Sequence, residues 1–359
     1  MSLLSRLSKL RLGKPALVRR SSLLLLSNGF SSSFRQTPPC WIYCGKSCGD
    51  DLEKLLIHNF DGTDSTVSEK KVPREMVSHL ERITIGASHG WVATLKDDGI
   101  LRLHDDLNPY ASDTDAKRIP LPPLATLPHC QTKIVTNVSM SSSSPEDEDC
   151  VVAVKFLGPQ ISFCRPANKP EWRNIRIENP CFYSSRVMFS KKHDTFRILG
   201  SGGYIIGSWD LSTKRNKPKF QRLRFQNLPE LTKTKRDLLH SCCTSDHLVE
   251  STSTGETFLV KFYRRATSSG VVYMKTRAVM VFRLDDEGNA VYTQDIGDLC
   301  IFISMSEPFC VPASSFPGMS YNCVKLIDSD EYGSITPDRI ISKSFGWACP
   351  YYIPPQNID

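Results

Sequence analysis

An all-β fold, a β-propeller of short antiparallel-sheet blades, is predicted by three features of this sequence. Short runs of β-branched, aromatic and aliphatic residues are separated by turn residues over most of its length. Those runs return in groups at a loose interval of roughly 50 residues, the pattern of radial blades. Between residues 246 and 331 no window sustains an apolar stripe of helical period. A pair of β-sandwiches is the alternative, because the interval is irregular.

The front of the chain has a different character. Residues 1–49 contain no Asp or Glu, whereas Arg6, Lys9, Arg11, Lys14, Arg19, Arg20, Arg35 and Lys46 are spread among Ser and Leu. Leu3, Leu4, Leu7 and Leu10, set against Arg6, Lys9 and Arg11, describe a basic amphipathic helix. An Arg-rich, Ser-rich, acid-free segment has the composition of an organellar transit peptide. It is expected over residues 1–39, disordered or helical, with the mitochondrion favoured over the chloroplast. The Leu run at 23–26 is too short to span a membrane, and no later segment is long and apolar enough. The whole chain carries +7, and its first 49 residues account for that excess. The remainder is nearly neutral and lacks the basic footprint of a nucleic-acid binder.

Residues 40–80 read as an irregular lead-in, with a first strand near Trp41-Ile42-Tyr43 and a short helix over 73–80. The β rhythm is expected from 81 to 335. Residues 83–86, 90–95 and 100–103 are strands, and Lys96-Asp97-Asp98-Gly99 is a strong hairpin signal between the last two. The same parts return at 150–164 around Gly158-Pro159-Gln160, and again at 196–210 around a glycine turn. Extended outer pieces centre on Ile119, Ile175, Leu223 and Tyr292. The polar, acidic stretch 139–149 is expected to be a mobile loop. Residues 257–263 (TFLVKFY) and 278–284 (AVMVFRL) are strands, and Asp285-Asp286-Glu287-Gly288-Asn289 turns the second into 291–295. Residues 299–304 (LCIFIS) suit an innermost strand buried on both faces. Pro308, Pro312 and Pro317 end regular structure before a further strand at 323–328. Residues 336–359 form a tail placed to close the ring.

A set of these pieces resembles the plant DUF295 family. They are Gly86-Ala87-Ser88-His89-Gly90-Trp91, Asn108-Pro109, Ile119-Pro120-Leu121-Pro122, Asp246-His247-Leu248-Val249-Glu250, Phe282-Arg283-Leu284-Asp285, Ile296-Gly297-Asp298, and Phe309-Cys310-Val311-Pro312-Ala313 with Phe316-Pro317-Gly318. The resemblance covers most of residues 80–332 and implies a β-propeller of the type found in F-box and kelch-like plant proteins. Many members carry an N-terminal F-box, which implies substrate receptors of ubiquitin ligases. Residues 40–80 show no Leu-Pro start followed by a helical Leu/Ile stripe. The resemblance is therefore to an organellar branch lacking the F-box, and it brings no catalytic residues.

No catalytic, cofactor-binding or metal-binding residue is assigned from the chemistry of the sequence. Among thirteen cysteines, Cys40, Cys44 and Cys48 recur every four residues without helical surroundings, and no CxxC pair exists. Cys242 and Cys243, if in a strand, point to opposite faces. Cysteines inside apolar strands read as buried hydrophobes. His89 and His247 are expected to be structural, and Asp246-His247 lacks a nucleophile elbow such as GxSxG. Ser201-Gly202-Gly203 has no P-loop lysine after it. The basic clusters at 214–219 and 233–236 read as solvated protection beside turns. The expected function is a non-enzymatic scaffold for an unidentified protein partner, without cofactor, nucleic acid or membrane span. A ubiquitin-ligase substrate receptor and an enzyme using the propeller channel are the alternatives.

Overall fold

The computed structural model describes residues 35–49, 51–60, 65–77, 83–130, 134–168, 170–211, 217–267, 272–344 and 350–358. Their strands form six blades around one axis. Blade 2 is the simplest, with Thr84–Ser88 innermost, then Trp91–Leu95, Ile100–His104 and Arg118–Pro123. Blade 3 repeats it with Val135–Met140, Val152–Phe156, Gln160–Cys164 and Arg173–Arg176. Blade 4 does so with Val187–Ser190, Thr195–Leu199, Ile205–Trp209 and Lys219–Arg222. The extended pieces near Ile119, Ile175 and Tyr292 are the fourth strands of blades 2, 3 and 5, and Leu223 follows the fourth strand of blade 4.

Blades 5 and 6 depart from that plan. Blade 5 runs Cys243–Glu250, Thr257–Ala266, Met274–Leu284 and Asn289–Thr293, and its outer edge is capped in parallel by Arg224–Gln226. In blade 6 the chain enters on Leu299–Ile303, turns back to place Phe309–Pro312 innermost, then continues outward through Cys323–Ile327, parallel to its entry strand. Glu331–Ile335 and Ile340–Ser344 complete it. Residues 299–303 are fully buried, as expected, but they are the second strand and not the innermost.

Blade 1 joins both ends of the described chain. Cys40–Gly49, Leu52–Asn59 and Thr66–Pro73 pair in sequence, and Tyr352–Ile353 supplies the innermost position. The irregular lead-in expected at 40–80 is thus three strands of a blade. The helix expected at 73–80 is a single 3-10 turn, Arg74–Met76, and residues 78–80 lie outside the described residues. The transit peptide expected over 1–39 lies almost entirely outside them as well.

The core explains the strand compositions. Six separate clusters of buried apolar side chains occupy the six seams between neighbouring blades. Successive side chains of a strand point to opposite faces. In a ring of blades both faces are covered, so inner strands such as VAVKF and LCIFI are apolar almost throughout. The one helix among the described residues, Lys233–His240, is capped by Thr232 and packs outside blade 5. Its first turn carries the basic cluster 233–236, which is therefore helical. The loop expected to be mobile at 139–149 begins inside a strand, and its remainder is tied down. Trp91 Nε1 donates to Ser143 O at 3.0 Å, and Lys117 pairs with Glu146.

Removing residues 350–359 would delete the innermost strand of blade 1 along with fully buried Tyr351 and Ile353. Each such side chain is worth about 2–4 kcal/mol, a large share of a domain's net stability. The truncated chain is expected to lose cooperative unfolding, measured by urea denaturation followed through tryptophan fluorescence.

Candidate functional site

After the entry strand of blade 6, residues 304–307 run beside the innermost strands of other blades, and Ser306 bridges Ala87 in parallel. Ser304 Oγ accepts from Tyr352 N at 3.3 Å, Met305 N donates to Pro350 O at 3.1 Å, and Ser306 Oγ donates to Tyr352 O at 2.9 Å. Arg186 Nη1 donates to Ser304 O at 2.6 Å. At Glu307, the backbone N–H donates to Ala87 O at 2.6 Å. Its carboxylate accepts from Ser88 Oγ at 2.6 Å, Ser139 Oγ at 2.7 Å and the Phe189 N–H at 2.8 Å. One side chain therefore holds the inner strands of blades 2, 3 and 4. Burial pushes its carboxyl pKa upward, against the charge of His89 and the three donors. His89 itself sits in a tight turn with Gly90 (φ 52° and 88°), a structural position.

Beside this axis a cleft of about 250 Å³ is walled by Arg186, Asp246, His247, Arg264 and Asp328, with serine and threonine hydroxyls between them. Asp246 and His247 are neighbours on one strand and so part to opposite faces. Asp246 turns toward Lys261, whose Nζ lies 3.3 Å away and also donates to Gly202 O at 2.8 Å. His247 turns toward Phe262, with ring centroids 5.7 Å apart. Arg264 donates to Asp328 Oδ2 at 2.5 Å and lies 3.7 Å from Glu331. Burial, reinforced by Arg186, lowers the His247 pKa to about 3. An imidazole that weakly basic is a poor proton acceptor at neutral pH, and both carboxylates are already held by cations. The cleft can accept a polar group; it is badly arranged for acid–base chemistry.

Blade 2 contains a trio that sequence reading missed. Thr94 Oγ1 lies 2.8 Å from His104 Nε2, and His104 Nδ1 lies 3.0 Å from Asp106 Oδ2. Hydroxyl, imidazole and carboxylate in line are the parts of a nucleophilic site. Thr94 is fully buried, however, and Asp106 is clamped by two bonds from Arg118. The trio is a structural network. Burial alone would raise the Asp106 pKa, but the bonds from His104 and Arg118 outweigh it and bring it to about 2. Strand alternation offered a signal only in hindsight, since Thr94 and His104 meet diagonally across one strand pair.

The other residues singled out from sequence are placed as follows where they are described. Asp285 Oδ1 caps its own turn by accepting from Glu287 N at 3.0 Å and Asn289 N at 2.7 Å. Burial pushes the thiols of Cys40 and Cys310 up to about 12 and those of Cys150 and Cys164 to about 11, which disfavours the reactive thiolate. Cys40 and Cys48 are on a strand. Cys242 lies outside the strand that begins at Cys243, and its Sγ meets Leu238 O at 3.3 Å. Part of the basic cluster 214–219 falls outside the described residues. Among the described residues no group of three His, Cys, Asp or Glu could hold a metal ion, and no helix is long and apolar enough to cross a membrane.

A family model agrees with this architecture. The family model described as KIB1-4 beta-propeller matches residues 59–345. Solved structures with a similar course include Hsv2 of Kluyveromyces lactis, at 11% identity over 65% of this chain and 71% of that one, with a TM-score of 0.31. Raptor of Chaetomium thermophilum shows 13% identity over 89% of this chain and 24% of its own, with a TM-score of 0.36. A Lactobacillus plantarum protein shows 9% identity over 90% and 100%, with a TM-score of 0.37. No curated protein matches this chain.

Two substitutions test the roles of these carboxylates. Glu307→Ala leaves the Ser88, Ser139 and Phe189 donors unpaired and is expected to cost about 2–4 kcal/mol in denaturant melts. The raised folded pKa of Glu307 means its contribution is full below the unfolded value of about 4.3 and declines as pH rises through the folded one. Glu307→Gln is expected to abolish that decline. Asp106 has the opposite sign: its contribution is full above about pH 4 and is lost as pH falls toward 2. Asp106→Asn is expected to cost roughly 1–2 kcal/mol at neutral pH, with Arg118 half-exposed, and to flatten the acid limb of the stability curve.

Proposed function

This chain belongs to the KIB1-4 beta-propeller family, and from that premise we propose that it is a non-enzymatic scaffold that offers its loops to a protein partner inside an organelle. The observation that carries this reading is the bonding of residues 304–307 among the innermost strands. Their polar groups are committed to those strands, and the loops and seams around them are the surfaces offered for contact. The polar cleft beside Arg186 is one of those surfaces. It presents Thr244 and Ser245 at its edge and holds its charges in internal pairs.

The finer assignment is to the DUF295-like, organellar branch without an F-box. Its support is the motif set from Gly86 to Gly318 and the acid-free, Arg- and Ser-rich composition of residues 1–49. An enzyme acting in the cleft would need a base better matched to neutral pH than His247. A ubiquitin-ligase receptor would need binding to the ligase's adaptor subunit and a cytosolic pool.

Purification of the tagged chain from isolated mitochondria is expected to bring down the same partner repeatedly. Thr244→Arg/Ser245→Arg at the cleft edge is expected to reduce that recovery at least about fivefold, because bulk and charge there obstruct docking. Failure to recover a reproducible partner, or equal recovery with the double variant, counts against the scaffold or against this face respectively. Residues 1–49 fused to a fluorescent protein are expected to enter mitochondria; a cytosolic fusion removes the organellar part of the reading.

A further inference from the structure

The seam between blades 6 and 1 contains a recess of about 230 Å³ with an unusual combination of walls. Trp41, Phe60, Tyr332 and Tyr352 line it, and their rings meet at an angle. Trp41 and Tyr332 lie 5.2 Å apart at 48°, and Phe60 and Tyr352 lie 5.8 Å apart at 59°. Deeper in the same cluster Phe302 and Phe309 are stacked at 4.9 Å and 10°. Lys325 and Lys343 share the lining, and no carboxylate does.

The lysines make the recess specific. Elsewhere in this molecule a lysine within an apolar strand has several partners: Lys155 donates to Phe156 O, Gly158 O and Tyr183 O, and Lys261 donates to Gly202 O at 2.8 Å and lies 3.3 Å from Asp246. Lys325 stands in the same kind of strand, Cys323–Ile327, but among the described residues donates only to Ser334 Oγ at 3.2 Å. Its Nζ lies 5.7 Å from the Phe60 ring centroid. An ammonium has three donors, so two are left over. Lys343 is exposed on the outermost strand, and among the described residues neither lysine forms an ion pair.

We propose that this seam recess binds a small planar aromatic anion, its ring seated against Trp41, Phe60 and Tyr332 and its charge held by Lys325 and Lys343. Aromatic walls favour a flat π-system in offset or edge-on contact, and two unopposed ammonium groups select a negative substituent. The volume lies below the roughly 300–1,000 Å³ of sites for larger ligands, which limits the occupant to one compact ring system. Because the recess spans the first and last blades, the ligand also stabilises closure of the ring by binding only the folded state. The inference does not depend on the scaffold reading.

Naphthalene-1-sulfonate, titrated calorimetrically into the full chain, tests it against naphthalene-1-sulfonamide, an uncharged probe of the same shape. One saturable site for the sulfonate is expected, with the sulfonamide at least about tenfold weaker. Lys325→Gln/Lys343→Gln is expected to weaken the sulfonate about tenfold or more and to leave the sulfonamide unchanged. No saturable site, equal affinity for the two probes, or an unaffected double variant overturns the proposal. If the double variant loses its cooperative melt, exposed Lys343→Gln alone decides. A loss of roughly threefold or more with an unaltered melting curve supports the site, and unaltered affinity overturns it.

Discussion

A single buried carboxylate sets the geometry on which the rest of this propeller depends. Glu307 stands at the axis and accepts hydrogen bonds from three different blades while its own backbone binds one of them. Withdrawing a carboxyl group from water is costly, and only a full set of well-placed donors offsets that cost. The return is directional. Apolar contact tolerates sliding, whereas donors at 2.6–2.8 Å fix how far each inner strand stands from the axis and at what height. The same segment is hydrogen-bonded to the innermost strands of blades 1 and 2 as well.

Around that centre the seams divide the labour. Six apolar clusters supply most of the burial, and polar staples determine how the blades register. Lys70 donates to the carbonyls of Asp105, Asn108 and Ala111, tying blade 1 to the loop of blade 2. Asn137 of blade 3 exchanges two bonds with the Val187 backbone of blade 4. Glu331 of blade 6 accepts from the backbone and hydroxyl of Thr276 in blade 5. Each staple satisfies backbone groups that strand pairing leaves unpaired, in a loop or at a blade edge. The seam between blades 6 and 1 is different, because its lysines are not consumed in this way and its aromatic rings frame an open recess.

Much of the fold was readable along the chain, because strand composition and turn chemistry are local. The Asp97-Asp98-Gly99 hairpin, the turn at 285–289 and the fourth strands of blades 2, 3 and 5 all sit where alternation and turn residues place them. Blade 1 was concealed, since Cys40–Gly49 and Thr66–Pro73 mix Gly, Lys and Glu into strands whose pairing includes irregular register. The Val-Lys-Phe pattern at 154–156 and 260–262 was read as strand composition, and its buried lysines became intelligible only beside their carbonyl partners. Glu307 was invisible because Ser-Glu-Pro after a strand reads as an ordinary turn.

By itself, then, the amino-acid order determined that this protein is all-β, that its strands are short and grouped, and that its body is nearly neutral. These follow from propensity, period and charge, each a property of neighbouring residues. Tertiary structure decided the number of blades, the inverted entry into blade 6, the closure by Tyr352–Ile353 and the meeting of Phe60 with Lys325. Those depend on which strand edge is still unpaired when a distant segment arrives. Hydrogen-bond satisfaction across hundreds of residues settles that choice, and no local pattern encodes it.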